Sequence, residues 1–478
     1  MNLKLRFSQF LLPLLLCVWV VSYFGYLGWK PSFAYNAQRY FEILLLGCLL
    51  CAGVVLPIRF RWGRLWAVLC SALLVAMLLV IWQADNSWLA VREGLQYSAL
   101  LMAILVVAKA RHHAGVISFD RAAYMGLVLF CFGCSLIVLE GLLLSLSINM
   151  VDSRVVFGAF VNVRVFAELQ FLTLFLLPAA WLQMKAVGWR RFIGLTAMLG
   201  WGLLLLTGTR SALVVLPFAL VMLGIAGGRN TVAWFRVLVV QFFCGVVVFL
   251  FLQGGIARFL GTPFWGDGSM SFARTSSSGR LDLWADAWHH FLQHPLLGNG
   301  PGTFACFTSE LVATPHNLFF QLLSEWGGLI TSLCLVLALL IFFSLVRHLR
   351  SKSHTDPLYF SLFAALVVTV AASMMEGMII GPLQQMLIVL VFGWALHAFA
   401  RAKFTPVSGG ALRWFQARYL VVLATFLAIT LWGVKADLAL QKKLLVSPDG
   451  VINLSYGPRF WADGHDHCPD WHERYEKK

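Results

Sequence analysis

Residues 233–253 read AWFRVLVVQFFCGVVVFLFLQ, with one arginine near the start, two glutamines and otherwise apolar side chains. A run of about 20 such residues is the length an α-helix needs to cross a hydrocarbon core roughly 30 Å thick. No water is available there for backbone amides and carbonyls, so the run must satisfy them internally, as a helix does. Comparable runs recur near 9–28, 41–58, 65–82, 93–108, 122–147, 165–183, 192–208, 211–226, 325–346, 358–375, 382–400 and 417–434. Sixty percent of the 478 residues are hydrophobic and only 12% are charged, with a mean hydropathy of +0.81. The expected fold is an all-α, polytopic transmembrane helical bundle of about 12–13 spans. The first run, FLLPLLLCVWVVSYFGYLG, follows Lys4 and Arg6. It is long, lacks a small-x-small cleavage site and ends in aromatics, so it reads as a retained span rather than a signal peptide.

The net charge of +15 raises the question of a nucleic-acid partner. The basic residues argue against one, because they fall in short clusters between apolar runs, as the positive-inside rule requires. With the N-terminus inside, every predicted inner segment holds at least two, for example Arg59, Arg61 and Arg64, or Lys185, Arg190 and Arg191. Membrane lipids are the expected surroundings, and no nucleic-acid partner is expected. The predicted core spans 1–434, including a large outer loop at 254–324, and an outer tail follows at 435–478. Most cysteines fall within predicted spans, where the thiol behaves as a small apolar group. Cys306 and Cys468 stand in outer segments, where an oxidising compartment would let them pair.

The outer loop interrupts the apolar pattern with GRLDLWADAWHHFLQHPLLGNGPGTFACFTSELVATPHNLFF, Gly279–Phe320. Leu281, Trp284, Trp288, Phe291 and Leu292 recur at helical spacing. Ser277 or Ser278 is a candidate cap, and Pro295 with Gly298 a stop. Such a helix belongs in the membrane interface and puts Arg280 at its positive end, facing an anion or a lipid headgroup. The segment HPLLGNGPGTF demands an irregular turn whose amides could approach a phosphate. His316 stands at the mouth of the next apolar run. It is either a structural interfacial histidine or a base for chemistry near neutral pH, and Asn317 can cap the helix or orient its ring. Arg210, in TGTRSA between two apolar runs, needs an anion or a carboxylate partner such as Glu168 or Glu376. Outer arginines are scarce. Arg154, Arg164, Arg210 and Arg280 therefore form a candidate anion site, with Asn162 and Asn317 beside them as substrate-binding candidates. The tail holds His465, His467, Cys468 and His472, but no convincing metal-ligand set emerges, and neither metal nor cofactor is expected.

The motifs TGTRSA, SSGRLDLWADAW, HPLLGNGPGTF and TPHNLFFQLLSEWGGL, with the softer FVNVRVFAELQ, make the chain resemble the O-antigen ligase superfamily of bacterial inner-membrane glycan transferases. The resemblance covers about residues 155–345 and implies a periplasm-facing site and a donor glycan carried on undecaprenyl diphosphate. An acceptor hydroxyl would attack the first sugar's anomeric carbon and the lipid diphosphate would leave. The resemblance implies that Arg210 and Arg280 hold the diphosphate and that His316 orients or deprotonates the acceptor. A pilin or other protein acceptor, making the chain a protein O-oligosaccharyltransferase, is favoured slightly by the long tail. A lipopolysaccharide O-antigen ligase acting on lipid A–core stands about level with it, and an O-antigen polymerase comes third. A lipid-linked glycan transporter is the reading from another class. It would place its polar residues at the midplane in paired repeats, whereas here they crowd one face.

Overall fold

The computed structural model describes residues 34–56, 58–60, 63–147, 153–160, 162–260, 279–308, 312–351, 356–399 and 404–407, with most of 413–431. The predicted first span at 9–28, the tail at 435–478 with its histidines, and the candidate caps Ser277 and Ser278 lie outside the described residues. The described elements run α1 (Ala34–Val55), β1 (Ile58–Phe60), α2 (Arg64–Gln83), α3 (Ser87–Ala114), α4 (Val116–Ser147), α5 (Ser153–Val156), α6 (Val163–Leu174) and α7 (Leu177–Gln183). They continue with α8 (Val187–Leu206), α9 (Ser211–Gly227), α10 (Val232–Leu260), α11 (Arg280–Gln293), α12 (Phe304–Phe307), α13 (Leu318–Gln321), α14 (Gly327–Leu349), α15 (Pro357–Ser373), α16 (Pro382–Phe399) and β2 (Phe404–Pro406).

Among the described residues, eight helical stretches are long and apolar enough to cross a membrane, and Pro357–Ser373 and Tyr419–Ala428 are shorter apolar helices. The chain is an all-α, multi-pass membrane protein. The run expected at 165–183 is broken into α6 and α7, because Pro178 sits in the first turn of α7 and has no amide to continue the ladder. The stretch 233–253 lies within α10, which packs along α8. Their backbones meet where Gly202 and Gly245 face each other: a β-carbon at Gly202 would come 3.0 Å from the Gly245 carbonyl. Small residues at such crossings are how helices associate without a hydrophobic driving force.

Burial separates centre from rim. The stretch Val163–Gln183 is 83% buried, whereas Arg64–Gln83 is only 17% buried. The broken pair α6–α7 therefore forms the central column, touched by α4, α8, α15 and α16, while α2 shows an apolar surface to lipid. At one end of the bundle, Arg111 grips Asp120 through Nε and Nη2 at 2.7 and 2.8 Å, and Trp394 Nε1 donates to Asp120 Oδ1 at 2.7 Å. That knot ties α3, α4 and α16 together. Nearby, β1 and β2 pair antiparallel, Arg59 opposite Thr405, a pairing that hydropathy does not announce.

The glycine-rich segment differs in role from its sequence expectation. The amides of Gly298, Asn299 and Gly300 are donated to the carbonyls of His294, Ser324 and Glu325 at 2.8, 3.2 and 2.9 Å, so they are spent inside the protein rather than offered to a phosphate. The partner is a π-helical turn at Leu322–Trp326. Gly298 has φ of 73°, and a β-carbon there would lie 2.5 Å from the Glu325 carbonyl oxygen and the Gly327 amide nitrogen. Gly298→Ala combines a left-handed backbone penalty with a backbone clash, and is expected to destabilise the detergent-solubilised protein by about 2–4 kcal/mol. Gly158→Ala, where a β-carbon meets nothing within 4 Å, is expected to leave the thermal midpoint unchanged.

Cys306 is disulfide-bonded. Cys48, Cys51, Cys70, Cys131, Cys134, Cys244 and Cys334 are free, so its partner lies outside the described residues, where Cys17 and Cys468 stand. The sequence leaves pairing with Cys468 open, and that pairing can be tested. Under non-reducing conditions, Cys468→Ser is then expected to expose one further alkylatable thiol by mass spectrometry. If Cys17→Ser does so instead, the pairing is wrong.

Candidate active site

The site is built on the turn between α15 and α16, residues 374–381 (MMEGMIIG). α15 ends at Ser373 and α16 begins at Pro382, and the turn between them closes on itself through Glu376 N to Ala372 O at 2.8 Å and Ile380 N to Gly377 O at 3.0 Å. The Glu376 side chain is only 3% exposed, and its two carboxylate oxygens face two arginines. Arg280 Nη2 donates to Oε1 at 2.9 Å, and Arg164 Nη1 lies 3.9 Å from Oε2. One carboxylate against two guanidiniums leaves a net positive site. Arg280 Nε has no hydrogen-bond partner, so this guanidinium retains donor capacity for a bound anion.

Each arginine is placed by a helix start. Arg164 occupies the first turn of α6, capped by Asn162, whose Oδ1 accepts from the Arg164 amide at 2.9 Å. The amide oxygen of Asn162 is thus engaged in capping. Arg280 opens α11 after Gly279, which is left-handed at φ of 72° and makes no side-chain cap. α11 also divides its apolar residues more finely than the sequence suggests. Leu283, Ala287 and Phe304 form an inner cluster, and Trp284 stacks on Phe320. Leu281, Trp288 and Leu292 remain 63%, 44% and 56% exposed.

His316 closes the cluster from a third direction. Its backbone is left-handed at φ of 49°, the one non-glycine residue with positive φ among those described. An L-residue pays roughly 1–2 kcal/mol for that conformation, and such outliers concentrate at functional sites. The strain is held from both sides. Trp284 Nε1 donates to the Pro315 carbonyl at 3.0 Å, and Asn317 Nδ2 donates to the Met374 carbonyl at 2.9 Å while its Oδ1 caps α13 through the Phe319 and Phe320 amides. The ring lies over the turn: a β-carbon at Gly377 would stand 4.0 Å from His316 Nδ1. That nitrogen is buried without a hydrogen-bond partner. Burial pushes the imidazole down to about 4. The Glu376 carboxylate opposes the shift, and Arg164 and Arg280 add to it. The ring is therefore neutral at pH 7 and able to accept a hydrogen bond or a proton.

The structure thus brings Arg164, Arg280, His316 and Asn317 to one turn. Arg210 immediately precedes α9, which packs against α15 and α6. Of the carboxylates suggested for it, Glu376 takes Arg280 and Arg164, and Glu168 accepts from Gln384 Nε2 at 2.6 Å. Thr209 and Ser211, either side of Arg210, have buried hydroxyls without hydrogen-bond partners. Arg154 belongs to α5, and its side chain lies outside the described residues. Among the described residues, no group of three or more His, Cys, Asp or Glu is placed to hold a metal ion. Sequence reasoning missed that Glu376 is shared by two arginines, having named it only as a partner for Arg210.

Residues 195–336 match the O-antigen ligase family, a segment that contains Arg210, Arg280 and His316. Over that segment the chain is similar to O-antigen ligases. An O-antigen ligase of Pseudomonas aeruginosa is 29% identical over 184 residues, covering 38% of this chain and 40% of that protein. The chain thus matches well under half the length of that curated relative. No solved structure matches. The matched segment supplies Arg280 and His316, while Glu376, the counter-ion of Arg280, and the second arginine facing it, Arg164, come from outside that segment.

Proposed function

We propose that the protein transfers a glycan from a lipid diphosphate carrier, undecaprenyl diphosphate by the family resemblance, to an acceptor hydroxyl at the periplasmic face of a bacterial inner membrane. One observation carries this reading. Two arginines sharing one buried carboxylate stand beside a neutral, strained histidine, at an end of the bundle where helices begin and a loop enters. The acceptor oxygen attacks the anomeric carbon, the bond from that carbon to the diphosphate oxygen breaks, and the lipid diphosphate departs with its electron pair. Arg164 and Arg280, with Arg210 on the neighbouring helix start, neutralise the charge that grows on the leaving group, usually the largest catalytic contribution. Nδ1 of His316 accepts the hydroxyl proton or aligns the hydroxyl by accepting its hydrogen bond.

The acceptor is read as a serine or threonine of a pilin or another protein, which the tail at 435–478 would help to engage. The second reading, transfer to lipid A–core as in a lipopolysaccharide ligase, is favoured by the name of the Pseudomonas aeruginosa relative. A host deletion complemented with wild type or with His316→Ala separates them. Pilin that loses its glycan mass while the lipopolysaccharide ladder stays intact selects the protein transferase, and the reverse selects the ligase. Full restoration of both by His316→Ala would remove the histidine from the chemistry.

A further inference from the structure

The 374–381 turn is held from across the bundle as well as from its own helices. Arg39 in α1 donates through Nη2 to the Ile380 carbonyl at 2.9 Å, and Gln385 in α16 donates through Nε2 to the Ile379 carbonyl at 2.8 Å. The two clamping groups are joined, Arg39 Nη1 donating to Gln385 Oε1 at 2.7 Å. Arg39 is also ion-paired with Glu42, one turn along α1, and Glu42 accepts from Gln96 Nε2 of α3 at 2.9 Å. Arg39 and Glu42 are 2% and 1% exposed. A charge inside a membrane span costs about 2.5–3.5 kcal/mol on insertion scales, and a buried ion pair is no more stabilising than well-packed apolar side chains in the same volume. Stability therefore gives no reason for this arrangement, whereas its geometry does: the guanidinium fork spans a side-chain amide and a backbone carbonyl at the foot of the turn that bears Glu376.

We propose that Arg39 is a positioning residue: together with Gln385 it clamps the Ile379 and Ile380 carbonyls, and so fixes Glu376 where it aims Arg164 and Arg280 at the substrate's anionic group. Arg39 acts through the turn, by its bond to the Ile380 carbonyl. The clamp stands on the hydrogen bonds alone, and its kinetic consequence rests on the transferase reading.

The test uses the full-length protein in lipid nanodiscs with a lipid-diphosphate-linked glycan as donor. Arg39→Met combined with Glu42→Met removes the ion pair as a unit, and Gln385→Met frees the Ile379 carbonyl and removes one acceptor of Arg39 while leaving both charged side chains in place. Hydrogen exchange of the 374–381 peptide is expected to quicken at least tenfold in both variants, with α6 and α8 unchanged. Turnover is expected to fall by about 10–100-fold, as misplacement of reacting groups by an ångström does, while the donor KM stays within about threefold. Arg39→Lys, which keeps the charge but loses the fork, is expected to fall between wild type and the double variant. Unchanged exchange in the turn, or quickened exchange with unchanged turnover, overturns the proposal. If the double variant does not fold, Gln385→Met carries the same two outcomes alone. A parallel His316→Ala measurement keeps the readings apart. Full turnover in that variant overturns the transferase site, while the exchange data still judge the clamp.

Discussion

His316→Ala lowers turnover of the purified protein by about 10²–10⁴-fold, the range for loss of a positioned general base, and leaves the thermal midpoint at or above the wild-type value. The reasons are local. The imidazole is held over Gly377 with Nδ1 unpartnered, and the backbone on either side is fixed by Trp284 and Asn317 rather than by the ring. The same residue sets a pH profile. Its titration is depressed to about 4, below the ordinary value of 6.5, mainly by burial, and the working form is the unprotonated ring. Activity therefore holds from neutrality down towards pH 4 and falls as the pH drops through that value. Rates measured across pH 3.5–7 check this. An acid limb that persists unchanged in His316→Ala would assign the titration to another group.

Arg280→Ala is expected to cost about 10²–10³ in turnover, comparable to deleting a preorganised charge stabiliser. Nη2 is bonded to Glu376 at 2.9 Å and Nε is unpartnered, so the ion pair does not use up the guanidinium's donors. Removing it leaves Glu376 with Arg164 at 3.9 Å, and the net positive charge of the cluster disappears. Arg280→Lys is expected to recover less than a tenth of the loss, because a single ammonium cannot hold the carboxylate and a phosphate oxygen together in a fixed plane. Steady-state turnover with the lipid-linked donor, compared across the two variants, is the measurement. If lysine restores most of the activity, the arginine acts only as a diffuse charge.

The spans were legible because hydropathy is local: 20 residues carry their own evidence. The candidate arginines were legible for a related reason, since a charge at the edge of an apolar run has no cheap explanation, and His316 drew notice by its place at the mouth of such a run. Glu376 was visible as a lone carboxylate but not as the centre of the site, because Arg280 lies 96 residues before it and Arg39 contacts the same turn from 341 residues before. No window on the sequence spans such separations. The glycine-rich segment misled in a different way. Its glycines do signal positive φ, at Gly298, Gly300 and Gly302. Whether the amides face a ligand or another backbone depends on what packs there, and here His294 takes that of Gly298 while the π-helical turn at Leu322–Trp326 takes those of Asn299 and Gly300. Pro178 similarly breaks a run that is apolar throughout, so hydropathy merges what the backbone separates.

A library of this protein screened only for heat resistance would enrich glycine at position 316, since glycine relaxes the left-handed φ of 49° and gives back roughly 1 kcal/mol. On the proposed role of His316, the winners of such a screen would be hardier and inert. Any effort to toughen the protein for purification should then hold residue 316 fixed and seek its gains on the lipid-facing side of α2 instead.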